Sequence, residues 1–366
     1  MKKLSVLVAA VLAVTLSPVP ASAHKPSPLS MRGADVSTLL RAQELGAKFY
    51  DVRGKRDNPY EILQRAGVNY ARLRIWNDPT SGYSNKDAVL RQARAIKKAG
   101  LKLLIDFHYS DTWADPGKQF TPAAWEGHSL TQLTSDVYDY TYDVCSSLKR
   151  QGTTPDSIQV GNEINVGMLW PVGYVANSDF YPLSQLLNAG YDATKACNRS
   201  TTVMIHTALA GNIDAAHWFY DGITAQGVKW DITALSYYCM WHGSLDNLRT
   251  ALTDVRDRYG KPTVIAETAY PWTTENFDHL ENIITSDAPC DGIPATPLGQ
   301  AQQFNQVQQV AREAGALGVF YWEPTWTAID GNGWDTENIE TSGNAWENMA
   351  TFDDSGRINP YIRWQR

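Results

Sequence analysis

Three observations in the sequence predict an α/β fold, a single-domain (β/α)8 barrel. Short strand-forming runs alternate with longer amphipathic stretches, as repeated βα units require. There are eight such runs, and no Ser-, Thr- or Pro-rich linker divides the chain into two bodies.

The strand-forming runs are residues 32–36, 70–76, 102–108, 157–161, 202–207, 232–238, 263–267 and 318–322. Between them, helical periodicity covers 85–99, 130–150, 183–196, 245–259 and 300–314. Gly67, Gly100, Gly152, Gly260 and Gly315 each fall just before a strand, where a helix C-cap and an αβ turn need a residue free to turn. No Gly-rich phosphate fingerprint follows the first strand, which disfavours an open nucleotide-binding sheet.

Ahead of the barrel, residues 1–23 read as a signal peptide, leaving residues 24–366 as the catalytic domain. Lys2 and Lys3 precede an apolar run from Leu4 to Leu16, and Ala21-Ser22-Ala23 supplies the small-residue cleavage pattern. The apolar run falls short of the ~20 residues needed to span a bilayer, and no later segment is apolar enough. The expectation is a secreted, extracellular protein with no membrane partner, and a monomer. Cleavage removes two lysines and no acids, so the formal charge moves from -7 to -9. An acidic chain without a basic run disfavours nucleic acid and anionic lipid, and suits a neutral substrate. Export permits disulfides among Cys145, Cys197, Cys239 and Cys290. Cys145 and Cys197 lie near the ends of consecutive helices, which favours that pair; free buried thiols are the alternative.

The chemistry is carried by two segments 104 residues apart, Gln159-Val160-Gly161-Asn162-Glu163 and Val264-Ile265-Ala266-Glu267-Thr268. Each puts a glutamate where a strand stops, and barrel enzymes build their sites from the loops beyond the C-terminal strand ends. Two such carboxyls fit glycosidic bond hydrolysis, one protonating the leaving oxygen and the other attacking or activating water. Of thirteen tryptophans, Trp76, Trp113, Trp170, Trp241, Trp272, Trp322, Trp326 and Trp334 also lie at or soon after strand ends. Aromatic rings there suit sugars, whose C–H faces stack on them, although some could simply plug the barrel mouth.

Seven stretches together carry a family resemblance. They are Gly33-Ala34-Asp35-Val36-Ser37, Tyr70-Ala71-Arg72-Leu73-Arg74-Ile75-Trp76, the run from Asp106 to Pro116, Gly161-Asn162-Glu163, Ser236-Tyr237-Tyr238, Trp241-His242-Gly243 and the run from Glu267 to Thr273. With Tyr321-Trp322-Glu323-Pro324, this ordered set resembles glycoside hydrolase family 53, the endo-β-1,4-galactanases, over nearly the whole mature chain. The resemblance implies Glu163 as acid/base, Glu267 as nucleophile, β-1,4-galactan as substrate and a retaining double displacement. It also implies that Asn162 binds the sugar 2-hydroxyl and that Trp322 floors the cleaved subsite. Cys239-Met240 departs from the pattern, which leads one to expect proline and an aromatic there.

An attacking Glu267 must be ionised, so it needs cationic or hydrogen-bond-donating neighbours. Arg74 and a tyrosine ending the sixth strand are the candidates, Tyr238 ahead of Tyr237. Glu163 must hold a proton, which burial and the nearby Glu267 would favour. His108 and Asp111 are candidates for the surrounding polar network or for substrate contact. The histidines are scattered without metal-ligand spacing, so no catalytic metal or cofactor is expected. Acidic stretches 275–281 and 330–340 are candidates for a structural calcium, as in some bacterial members of that family. The rival readings are a retaining β-1,4-glucanase, mannanase or xylanase using the same glutamates, and a barrel that binds carbohydrate without cleaving it.

Overall fold

The computed structural model describes residues 28–365; the expected signal peptide, 1–23, lies outside them. Eight parallel strands close into a barrel in chain order, each hydrogen-bonded to the next and β8 to β1. They are β1 (Met31–Asp35), β2 (Tyr70–Ile75), β3 (Lys102–Phe107), β4 (Ser157–Val160), β5 (Thr202–Thr207), β6 (Ile232–Ser236), β7 (Thr263–Glu267) and β8 (Gly318–Tyr321). The helices are α1 (Leu39–Glu44), α2 (Pro59–Arg65), α3 (Lys86–Lys98), α4 (Leu130–Arg150), α5 (Tyr181–Cys197), α6 (Ile213–Ala225), α7 (Cys239–His242), α8 (Leu245–Tyr259) and α9 (Pro297–Glu313).

Five of the six long helices start where short polar side chains cap free N–H groups, and α5 has no such cap. Asn85, Asn212, Ser244 and Thr296 each accept a backbone N–H of the first turn, and Ser129 and Gln132 form a reciprocal capping box. Pro297, at the first helical position, moves the start of α9 ahead of the expected residue 300. Apolar residues on one face of each long helix then close over the sheet.

Side chains alternate along a strand, so every second residue enters the barrel. The lower interior is apolar: Met31, Tyr70, Leu104, Met204, Ile232, Ala234, Val264, Ala266 and Phe320 form one buried cluster. Gly33 leaves room for the Phe320 ring, since a Cβ there would lie 1.8 Å from Phe320 Cδ1. One strand step higher the interior turns polar, with Asp35, Arg72, Asp106, Gln159, His206, Ser236 and Glu267 all buried.

Two disulfides brace the shell. Cys145–Cys197 joins α4 to α5, the pair favoured from the sequence, and Cys239–Cys290 ties the end of β6 to the segment between β7 and α9. No cysteine is left free among the described residues.

Candidate active site

The expected strands at 157–161 and 232–238 stop short because the chain turns to aim side chains into the barrel mouth. Beyond β4, Gly161 and Glu163 take positive φ values of 83° and 48°, the left-handed region that disfavours a residue with a Cβ by roughly 1–2 kcal/mol. On β7 an irregularity does the same work. The β6–β7 register runs Ala234↔Val264 and Leu235↔Ile265, then Ser236↔Glu267. The extra residue lets both Ala266 and Glu267 point inward, a typical use of a bulge beside a functional site.

Both glutamates line one cleft of about 330 Å³, along with Asn162, Tyr238, His108, Trp113, Trp241, Trp322, Trp334 and Trp346. Glu267 is held by donors: Arg72 Nη2 lies 2.9 Å from Oε1 and Tyr238 Oη 3.0 Å from Oε2. Glu163 touches no cation; Ser236 Oγ lies 2.5 Å from its Oε1. Burial pushes the Glu163 carboxyl up to about 7. Burial also drives Glu267 upward, and the Arg72 charge opposes that. Tyr238, raised well above its ordinary value by burial and by Glu267, keeps its proton and so remains a donor.

The cation assignment needs correcting by one strand step. Arg74, expected to support Glu267, pairs with Glu323 at 2.5 Å and lies against the Trp113 ring at 4.2 Å. Arg72 makes the contact because it stands one level lower, in register with Asp35, and reaches Asp35, Asp106 and Glu267 together. Arg74 still lines the cleft wall.

Asp111 is a second correction. It does not reach the substrate cleft: Oδ1 accepts Asp78 N–H and Oδ2 accepts Ala123 N–H, both at 2.8 Å, so it clamps two loops. His108 does line the cleft. Its Nδ1 accepts from Trp76 Nε1 and Ala114 N, which leaves Nε2–H to donate to Asp106 at 3.1 Å. Asn162 Oδ1 accepts from Arg72 and its Nδ2 donates to Ala114 O, each at 2.9 Å; the second amide hydrogen remains for the cleft. Tyr237 turns away and donates to Gly243 O.

The strand-end tryptophans divide into three groups. Trp113, Trp241, Trp322 and Trp334 line the cleft, with Trp346, which sequence reading passed over, beside them. Trp76 and Trp326 are buried plugs, while Trp170 and Trp272 pack against Tyr174 and Phe277. Also missed were Arg72, Asp106, Gln159, His206 and Ser236. Their local signal is only a polar residue inside a strand-forming run.

Among the described residues, no group of three or more His, Cys, Asp or Glu stands together as a metal site. In stretch 330–340, Asp335 is occupied by Glu337 N and Asn338 Nδ2. Near 275–281, Glu347 Oε2, Asn282 Oδ1 and Asn348 Oδ1 are buried without partners, and they are oxygen donors of the kind calcium takes.

This pairing of a donor-held carboxyl with a buried, cation-free one, at the mouth of an eight-stranded barrel, is what hydrolysis of a glycoside requires. Residues 31–364 match the family model described as glycosyl hydrolase family 53. The chain belongs to glycosyl hydrolase family 53. It is 38% identical to the structure of the Ignisphaera aggregans GH53 catalytic domain, with a TM-score of 0.87 over 95% of this chain and 98% of that one. A fungal β-1,4-galactanase structure is 31% identical, with a TM-score of 0.78 over 90% and 97% of the two chains. The arabinogalactan endo-β-1,4-galactanase of Cellvibrio japonicus (strain Ueda107) is 35% identical, covering 89% of this chain and 87% of its own. As a family 53 member, the protein is a glycoside hydrolase.

Proposed function

We propose that this family 53 enzyme is an endo-β-1,4-galactanase, cleaving galactan or type I arabinogalactan by a retaining double displacement. The observation that carries the mechanism is the unequal treatment of two carboxyls in one cleft. Arg72 and Tyr238 donate to Glu267, so the shared proton resides on Glu163, which has no cation against it. Glu267 attacks the anomeric carbon as a carboxylate, and Glu163 protonates the departing oxygen. The glycosyl ester then removes the negative charge of Glu267, and Glu163 serves as base for the incoming water. Asn162 would hold the 2-hydroxyl, where hydrogen bonds strengthen as the ring flattens. Trp322 would floor the cleaved subsite, with Trp113, Trp334, Trp346 and Trp241 forming its apolar walls. The galactanase relatives support galactan over cellulose, mannan or xylan as the substrate.

Turnover on unbranched galactan with none on the other three polymers is the expected result. NMR of the new reducing ends should show β-configured product first. Inverted product, or preference for another polymer, would withdraw the corresponding part of the reading.

We further propose that the enzyme is exported and acts as a monomer, and that Glu347, Asn282 and Asn348 hold a structural calcium. Calcium should raise the melting temperature and EDTA should lower it. No shift in either direction would withdraw the calcium and leave Glu347 a buried carboxyl pushed up to about 7 by burial.

A further inference from the structure

The hydrogen bonds beneath Glu163 define which nitrogen of a buried histidine carries hydrogen, and through it which oxygen of Glu163 does the chemistry. Ser236 Oγ lies 2.5 Å from Glu163 Oε1 and 2.8 Å from His206 Nε2. A hydroxyl has one hydrogen, and once Glu163 has given its proton to the leaving group it is a carboxylate with none to offer. Ser236 therefore donates to Glu163 and accepts from His206 Nε2–H. His206 is fully buried, and burial together with Arg72 holds it neutral.

A neutral imidazole has one N–H, so Nδ1 is bare and needs a donor. Gln159 Nε2 carries two hydrogens: one goes to Asp106 Oδ1, its shortest contact, and the other is directed at His206 Nδ1, 3.0 Å away, with Gly161 O and Asn162 Oδ1 slightly farther at 3.1 Å. The Gln159 amide is oriented by Arg72, whose Nε and Nη2 donate to its Oε1 at 3.3 and 3.2 Å. Asn162 Oδ1 also lies near His206 Nδ1, at 2.9 Å. It is itself an acceptor, engaged by Arg72 Nη2, and supplies no hydrogen.

We propose that His206 and Ser236 are positioning residues for the acid/base, forming a one-way chain from Gln159 that delivers a hydrogen to Glu163 Oε1. Oε2 is then the oxygen that acts. In the first step the Oε2–H bond breaks, its proton goes to the glycosidic oxygen, and the C–O bond cleaves as Glu267 bonds to carbon. In the second step Oε2 takes a proton from the attacking water while the ester bond breaks. Ser236 keeps its hydrogen throughout. This inference rests on Glu163 being the acid/base and adds what aims it.

A donor on Oε1 favours the ionised form, so the chain keeps the Glu163 value from rising further. Arg72 from β2, Asp106 and His108 from β3, and Asp115 from the following loop face this chain. His242 from α7 and Glu267 from β7 face it as well. All of these persist in a Ser236 variant, so a change there reports the hydroxyl.

Nitrogen-15 NMR of histidine-labelled wild-type enzyme should show His206 neutral and protonated at Nε2 between pH 5 and 8; hydrogen on Nδ1 instead would overturn the chain's direction. Ser236→Ala should move the alkaline limb of kcat upward by ~1 pH unit and lower kcat roughly tenfold with little change in KM. Ser236→Thr, which keeps the hydroxyl, should return both toward wild type. An unmoved limb and unchanged kcat in Ser236→Ala would show that the chain does not position Glu163. Azide rescue of Glu163→Ala on an aryl galactoside tests the acid/base role separately; its failure would withdraw that role without touching the nitrogen spectrum.

Discussion

The two halves of the barrel interior are built from the same strands and differ by one step along them. Tyr70, Leu104, Met204, Ile232 and Phe320 fill the lower half; Arg72, Asp106, His206, Ser236 and Trp322 stand two residues or, for Ser236, four residues further on. The lower half is held by apolar burial, which tolerates no gap but has no direction. The upper half is a directional network around one buried cation, and each member sets the charge of the next. The barrel wall thus supplies rigidity below, and the polar layer uses it to hold two acidic side chains in one cleft above.

That contrast predicts opposite responses to substitution, and the largest belongs above. Glu267→Ala should lower kcat by ~10⁴-fold or more while leaving the melting temperature near or above wild type, since a desolvated carboxyl is removed. Loss of fold with Glu267→Ala would blur the boundary between the layers. Arg72→Met strips the cation from three carboxyls and should destabilise by ~3–5 kcal/mol as well as abolish turnover, measured by urea unfolding and by assay. In the lower half, Leu104→Ala should cost ~2–5 kcal/mol of stability with kcat near wild type for the molecules that remain folded. A smaller effect is the pH response. Burial pushes the Glu163 carboxyl up to about 7, so kcat for the glycosylation step should fall as pH rises through that region and the acid is lost. Smaller again is Asp111→Ala, expected to lower stability by ~1–2 kcal/mol and leave the pH profile unmoved; a shifted profile would return Asp111 to the site.

The sequence showed the lower layer and the periphery well, because strand runs, helix periods and C-cap glycines are local signals. The places of Glu163, Glu267, Asn162 and Tyr238 in one cleft were also legible, because each sits at a strand end and resembles a known motif. The level of the cation was not. Arg72 and Arg74 both face inward, and nothing local says which meets a carboxyl on β7, since that depends on strand stagger and on the extra residue opposite Ser236. His206 and Ser236 were hidden similarly: a serine in a strand and a lone histidine acquire meaning only when three strands bring them together. Asp111 misled because its loop turns outward to bind backbone N–H groups.

The coupling between the two carboxyls is tested most directly by the carbon-13 NMR titration of Glu163 in the wild type and in Glu267→Gln, which imitates the uncharged ester. The wild-type carboxyl should titrate well above the ordinary carboxylate range and the variant's at a clearly lower pH, since the repelling charge is gone. The same titration midpoint in both would show that Glu267 does not set the protonation of Glu163, and would contradict the shared-proton mechanism.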